Sequence, residues 1–347
     1  MCANRIMRCC CAAAMLVIWP VGCAKGPAVN DAEPTPVPFK PAISGPYTHD
    51  NLTVYLMHSP GVYRGGNLLT LQEALAQEKL RVHETGSVNE LAVENRSRDQ
   101  DVFIQAGEIV RGGKQDRVLA VDVIIGPQSG QVPIAAFCVE QGRWHSRGGE
   151  ASQYFSSSDN SVSSNSMKLA IRVDNSQGVV WENVAKDQQR LGASVGENVA
   201  DAMSATSLEL SMESDAVQRN SAEYTDILLG AIEDRDDVLG LVVAINGKLY
   251  NADVYASSGL FHKLWPKLLE AAAIEALASR TDERSSTLPT TAEVLQFLNA
   301  AEDGKASTRQ VSSRVSTVTR ESGEYTMFEM VDNQGDPVWI HRSYIRK

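Results

Sequence analysis

A chain of 347 residues, 43% hydrophobic and 22% charged, has globular composition and room for one large or two ordinary domains. A net charge of −11 with only 6% aromatic residues argues against a nucleic-acid binder, which would present a basic face with stacking rings. Of the six cysteines, Cys2, Cys9, Cys10 and Cys11 fall in an N-terminal leader, so Cys23 and Cys138 alone remain and no structural disulfide is expected.

The leader, residues 1–22, reads as a signal peptide. Arg5 and Arg8 form a basic start, and the apolar run Cys9–Val21 is too short to span a bilayer as a helix. It ends at Gly22-Cys23, which resembles a bacterial lipobox with Pro20 where leucine is usual. Cys23 would then carry the lipid and anchor the protein in the cell envelope. Cleavage after Ala24 is the alternative, giving a soluble periplasmic or secreted protein. Loss of Arg5 and Arg8 shifts the net charge from −11 to −13.

Residues 23–46 hold six of the thirteen prolines and read as an extended spacer. The main domain is expected over 47–280. Thr70-Leu71-Gln72-Glu73 is a capping box and starts a helix within 67–80. Leu91 and Val93 alternate with polar residues, as in a strand. Two strand patterns, from Val102 to Ile125, flank Gly112-Gly113, and Val132–Glu140 reads as another strand. Ser152–Ser166 is serine-rich and reads as a loop, followed by a short strand at Lys168–Val173. Helices are expected at Trp181–Leu191 and Asp215–Ile232, with Ile227, Leu228 and Ile232 as core positions. Val238–Tyr255 reads as a hairpin on an Asn246-Gly247 turn. A long helix capped by Ser257 or Ser258 follows, with a kink or restart at Pro266. Residues 281–347 read as a linker, a short helix at Ala292–Leu298 and a small β appendage. The fold class is α+β: an antiparallel sheet core with several packed helices and that appendage.

The chemistry concentrates at Gly107–Val118, GEIVRGGKQDRV. A two-residue turn at Gly112-Gly113 would set Glu108 opposite Arg117 and leave Gln115 beside them. An exposed pair of this kind is worth only about 0–1 kcal/mol, so a plain salt bridge and an oriented polar site both fit. A phosphate loop does not fit, because Gln115 follows Lys114 where serine or threonine is needed. In the next strand, Cys138 and Glu140 share a face, and Arg143 and Trp144 follow a turn at Gly142. If the strand ends meet, Glu108, Glu140, Lys114, Arg117 and Arg143 form a charged cluster walled by Trp144. It would be either an anion site or a satisfied network. Cys138 fits a small buried hydrophobe better than a nucleophile. The six histidines form no metal-ligand pattern, and neither a metal nor a cofactor is expected.

These motifs carry a resemblance. Gly107-Glu108, then Lys114-Gln115-Asp116-Arg117, then Cys138-Val139-Glu140-Gln141-Gly142-Arg143-Trp144, in this order, resemble an uncharacterised bacterial and archaeal family. It is called the ARG and rhodanese-phosphatase-superfamily-associated protein domain. The resemblance covers roughly residues 47–280. Its name implies genomic company with ADP-ribose-processing enzymes and fixes no activity. An exported, lipid-anchored protein that binds a small anionic ligand, nucleotide- or ADP-ribose-like, is therefore expected. Lys114, Gln115, Arg117, Arg143 and Trp144 would bind it. One alternative is a hydrolase on a nucleotide- or sugar-like substrate, with Glu108 or Glu140 as catalytic base. Another is a structural envelope protein.

Overall fold

The structure, a computed structural model, describes residues 39–63, 67–148, 153–281 and 287–347. The leader, Cys23 and most of the spacer lie outside the described residues. The chain enters through β1 (Ala42–His49) and β2 (Leu52–His58), an antiparallel pair. Order thus begins inside the proline-rich segment. Pro46 is tolerated because β1 is an edge strand with an irregular register between Ser44 and Tyr47.

A run of short strands follows. They are β3 (Leu69–Thr70), β4 (Leu80–Glu84), β5 (Glu90–Asn95), β6 (Val102–Ile104), β7 (Glu108–Gly112), β8 (Arg117–Leu119), β9 (Val123–Ile125), β10 (Gln131–Cys138) and β11 (Phe155–Ser161). Helix α1 (Leu71–Ala76) starts on the predicted capping box, with Thr70 and Glu73 satisfying each other's backbone amides. The expected long strands over 102–125 are each broken in two. At the break, Asp122 accepts the Ala106 N–H at 2.8 Å and pairs with Arg172 at 2.7 Å. A buried carboxylate takes up the backbone that a ladder would otherwise satisfy.

Six of these strands pair in the order β11-β7-β8-β10-β5-β4. The far edge of β4 then returns to the start: His83 bridges Tyr154, and the Glu84 N–H donates to the Gln153 carbonyl at 3.2 Å. The sheet closes as a small barrel. Alternation sends Val82, Leu91, Val93, Val110, Leu119 and Ala136 into one buried cluster. It sends Ile109, Val118, Phe137 and Val139 outward against Val180, Val184 and Leu191.

The helical segment comprises α2 (Asn165–Leu169), a π-helical turn (Ala170–Asp174), α3 (Gln177–Val195), α4 (Leu208–Met212) and α5 (Asp215–Leu228). Two expectations fail here. The serine-rich stretch is strand β11, held because Ser158 and Asn160 are buried on Glu209. Lys168–Val173 is helical, since the Ser164 side chain caps the Met167 N–H. Ile227 is exposed, whereas Leu228 and Ile232 are buried.

Strands β12 (Val238–Ile245) and β13 (Lys248–Tyr255) form the predicted hairpin, with Asn246 and Gly247 both at positive φ. Helix α6 (Ser258–Ala278) runs through Pro266 as one element. Helix α7 (Thr291–Glu302) leads to β14 (Lys305–Gln310), β15 (Val315–Glu321), β16 (Tyr325–Asp332) and β17 (Val338–Arg346). These four strands are no separate appendage. They complete an eight-stranded antiparallel sheet in the order β1-β2-β12-β13-β17-β16-β15-β14. One face of it, through Leu56, Leu241 and Val243, joins α6 and the barrel interior; the other, through Tyr55, Val242 and Ala244, packs on α7. Phe39–Lys347 is a single unit, and among the described residues no helix is long and apolar enough to cross a membrane.

Candidate functional site

The register of β7 and β8 decides where the motif residues go. Val110 pairs with Arg117 and Ile109 with Val118, so Glu108 does not face Arg117. The turn is wider than two residues because side chains hold it open. Asp116 Oδ1 accepts the Gly112 N–H at 3.2 Å, and the Lys114 N–H donates to Glu84 Oε2 at 3.2 Å. Gly113, at φ 55°, lies against Phe155, where a Cβ would come within 2.3 Å of the ring. No other residue fits there without displacing that ring.

Strand β10 pairs Cys138 with Arg117, and the Glu140 carbonyl accepts from Gln115 at 2.6 Å. At the other end the Gly107 N–H donates to Leu119 at 2.8 Å, placing Glu108 near that level. Measured along β8, Glu108 and Glu140 are thus four residues apart, about 13 Å. The single pocket expected from sequence is two separate environments, and a groove between motifs supplies a third.

Glu108 is buried at the far end. Its Oε2 accepts the Gln105 N–H at 2.9 Å and its Oε1 lies 3.4 Å from Lys267 Nζ. Burial raises its pKa. With Lys267, Tyr250 and Asp253 it lines a crevice of about 30 Å³, room for one or two waters.

Glu140 belongs to a buried network whose carboxylates have no solvent exposure. Arg143 binds it through Nε and Nη2, both at 2.6 Å, and its Oε2 accepts the Asp116 N–H at 3.2 Å. Arg147 pairs with Asp116 at 2.9 Å, and Ser207 hydrogen-bonds the same carboxylate. Burial pushes the Asp116 carboxyl up to about 6. Burial acts the same way on Glu140, but hydrogen bonds from Arg143 and Ser204 outweigh it and lower its pKa. Gln115, Glu140 and Arg143 therefore sit together in a paired network, with Gln115 away from Glu108.

Lys114, Arg117 and Trp144 come together elsewhere, over the mouth of the barrel. Trp144 is 44% exposed. The Lys114 ammonium lies 4.9 Å and the Arg117 guanidinium 5.7 Å from its ring centre. Arg117 has no exposed surface. Its Nη1 donates to the Val88 carbonyl at 2.6 Å and contacts the Cys138 sulfur. Its Nε and Nη2 make no hydrogen bond among the described residues; Glu84 Oε1 stands 3.5 Å from Nη2. Lys114 and Trp144, with His83, Glu84, His145, Gln153 and Tyr154, line a groove of about 610 Å³, and Arg117 lies buried behind the Trp144 ring. Cys138 is buried and its thiol is pushed up to about 11 by burial, in keeping with a structural role.

The acid of this groove is Glu84, which sequence reading passed over. It ends LRVHE, where Leu80, Val82 and Glu84 alternate with Arg81 and His83, a strand pattern that could have placed it. Arg147 was also missed, although it follows Arg143 by four residues in one basic loop. An arginine's Nε–Nη2 edge takes a carboxylate or phosphate side-on through two parallel hydrogen bonds. Lys114 adds a point charge and Trp144 a flat wall.

The profile of a family described as ARG and Rhodanese-Phosphatase-superfamily-associated Protein domain, ARPP-1, matches residues 40–345. The chain belongs to this family. The ARPP-1 domain thus takes in β14–β17, beyond the 47–280 over which the motifs carried the resemblance. In this ARPP-1 chain the Lys114–Arg117 and Cys138–Trp144 segments meet at one end of β8, and Gly107-Glu108 lies at the other. No curated protein and no solved structure matches the chain.

Proposed function

We propose that this is an exported, lipid-anchored envelope protein that binds a small anionic ligand, nucleotide- or ADP-ribose-like, at Glu84, Lys114, Arg117 and Trp144. One observation carries the site: beside a half-exposed tryptophan, a fully buried arginine has two donors without hydrogen-bond partners among the described residues. Leaving such donors unmet costs about 1–3 kcal/mol, which an arriving oxyanion would recover. The anchor rests on the Gly22-Cys23 motif alone.

The hydrolase reading has less support. Glu108 and Glu140 stand outside the groove. Glu84 already accepts the N–H groups of Gly86 and Lys114. The structural reading has the closed Asp116–Glu140–Arg143–Arg147 network behind it, but that network adjoins an open groove. Titration of the purified protein with phosphate, a nucleoside monophosphate and ADP-ribose, followed by tryptophan fluorescence and melting temperature, tests the proposal. A saturable change, shifted to about tenfold higher ligand concentration in Trp144→Ala, is expected; no response to any of the three would end it. Lipid labelling of the wild type but not of Cys23→Ser tests the anchor.

A further inference from the structure

The groove does not stop at Trp144. Tyr154 lines it and also lines an adjoining pocket of about 520 Å³. The Arg81 guanidinium lies 4.6 Å from the Tyr154 ring centre, and His83 meets the same ring edge-on at 5.7 Å. Arg96 lines this second pocket beside Arg81. Among the described residues neither arginine has a carboxylate partner. Glu94, which pairs with Arg81 across the strands, is bonded to His83 at 3.0 Å instead. Glu78 is the acid lining the pocket, and it makes no ion pair with either arginine.

In a protein of net charge −11, two guanidinium groups left without acids on one surface are a signal. The fold explains their placement. Arg81 and His83 lie on the outer face of β4, while Glu84 at its end reaches the mouth with Arg117. Three residues separate Arg81 from Glu84, about 10 Å along a strand. Arg81, over Tyr154, and Lys114, over Trp144, are therefore set at opposite ends of the surface that the two rings line.

We propose that the two pockets are one site whose ligand is an elongated dianion. Its ring-bearing body lies against Trp144 and Tyr154, one acid group is held at Lys114 and Arg117, and the other at Arg81 and Arg96. This rests on the anion-binding reading above and adds the second acid group to it. Each end contributes charge-assisted hydrogen bonds, and the rings supply sequence-independent stacking area.

The test compares inorganic phosphate, adenosine 5′-monophosphate and adenosine 3′,5′-bisphosphate on the intact protein by calorimetry and tryptophan fluorescence. The bisphosphate is expected to bind at least about tenfold more tightly than the monophosphate, the gain of one further charge-assisted contact. The double variant Arg81→Gln/Arg96→Gln, on exposed and half-buried positions, should bring the bisphosphate down to the monophosphate's affinity and leave the monophosphate unchanged. Lys114→Gln should weaken both alike. Equal affinities in the wild type, or a double variant that weakens both equally, would overturn the dianion. Failure of the wild type to bind any of the three would instead remove the underlying anion site.

Discussion

Two regions built from the same motifs behave in opposite ways. In the Asp116–Glu140–Arg143–Arg147 network every carboxylate meets a guanidinium and water is excluded. At the nearby groove, Lys114 and Trp144 reach solvent, and Arg117 behind them has Nε and Nη2 without hydrogen bonds among the described residues. Alternation along β8 and β10 and the wide turn at Gly113 sort neighbouring residues between the two. Charge content alone does not mark a site. What distinguishes the groove is open volume beside an accessible ring and a cation.

The sharpest way to break this contrast is Glu140→Ala. It leaves Arg143 and Arg147 facing Asp116 alone, and the unfolding free energy in urea should fall by about 3–5 kcal/mol, as for other broken buried pairs. A folded variant of near wild-type stability that no longer binds anions would move the site into the network.

A pH series sharpens it further. The Asp116 pKa is raised from 3.8 to about 6, so its contribution is full below about 4 and is lost as pH rises through 6. The difference in unfolding free energy between wild type and Asp116→Asn should therefore shrink by about 2–3 kcal/mol from pH 4 to pH 7. Glu140, with a lowered pKa, runs the other way: its stabilisation is present above about 4.5 and fades as pH falls. A flat difference would show that Asp116 is better solvated than its burial suggests.

Smaller effects are expected in the groove. Trp144→Ala should cost under about 1 kcal/mol of stability, since the ring is half in water, yet weaken anion binding about tenfold. Lys114→Gln should have the least effect. A three- to fivefold loss of affinity and a shallower salt dependence are expected from removing one exposed charge. If Trp144→Ala destabilises the fold as much as Glu140→Ala, the ring is a plug and the contrast collapses.

Local rules made much of the fold legible. The capping box at Thr70, the Asn246-Gly247 turn and the α6 start at Ser257 all depend on neighbours within four residues. What sequence missed depends on distant partners. The β7–β8 register is set by Glu84, thirty residues before Lys114, and by the Arg147 that neutralises Asp116. The polar strand β11 reads as a loop until Glu209 is present to bind Ser158. The candidate site was legible in composition, a Glu, Lys, Arg and Trp set. It was not legible in membership, because the acid sits on β4 and Glu108 faces another crevice.

Strand β17 lies between β13 and β16, in the interior of the eight-stranded sheet. Residues 338–346 come after every other strand of this sheet in the chain, so the sheet cannot close until they have been made. Until they arrive, β13 has an open edge, and Asp122 and Asp253 lack the His341 that stands between them. A stop codon before residue 338 would thus cut the eight-stranded sheet in two between β13 and β16 and abolish the domain.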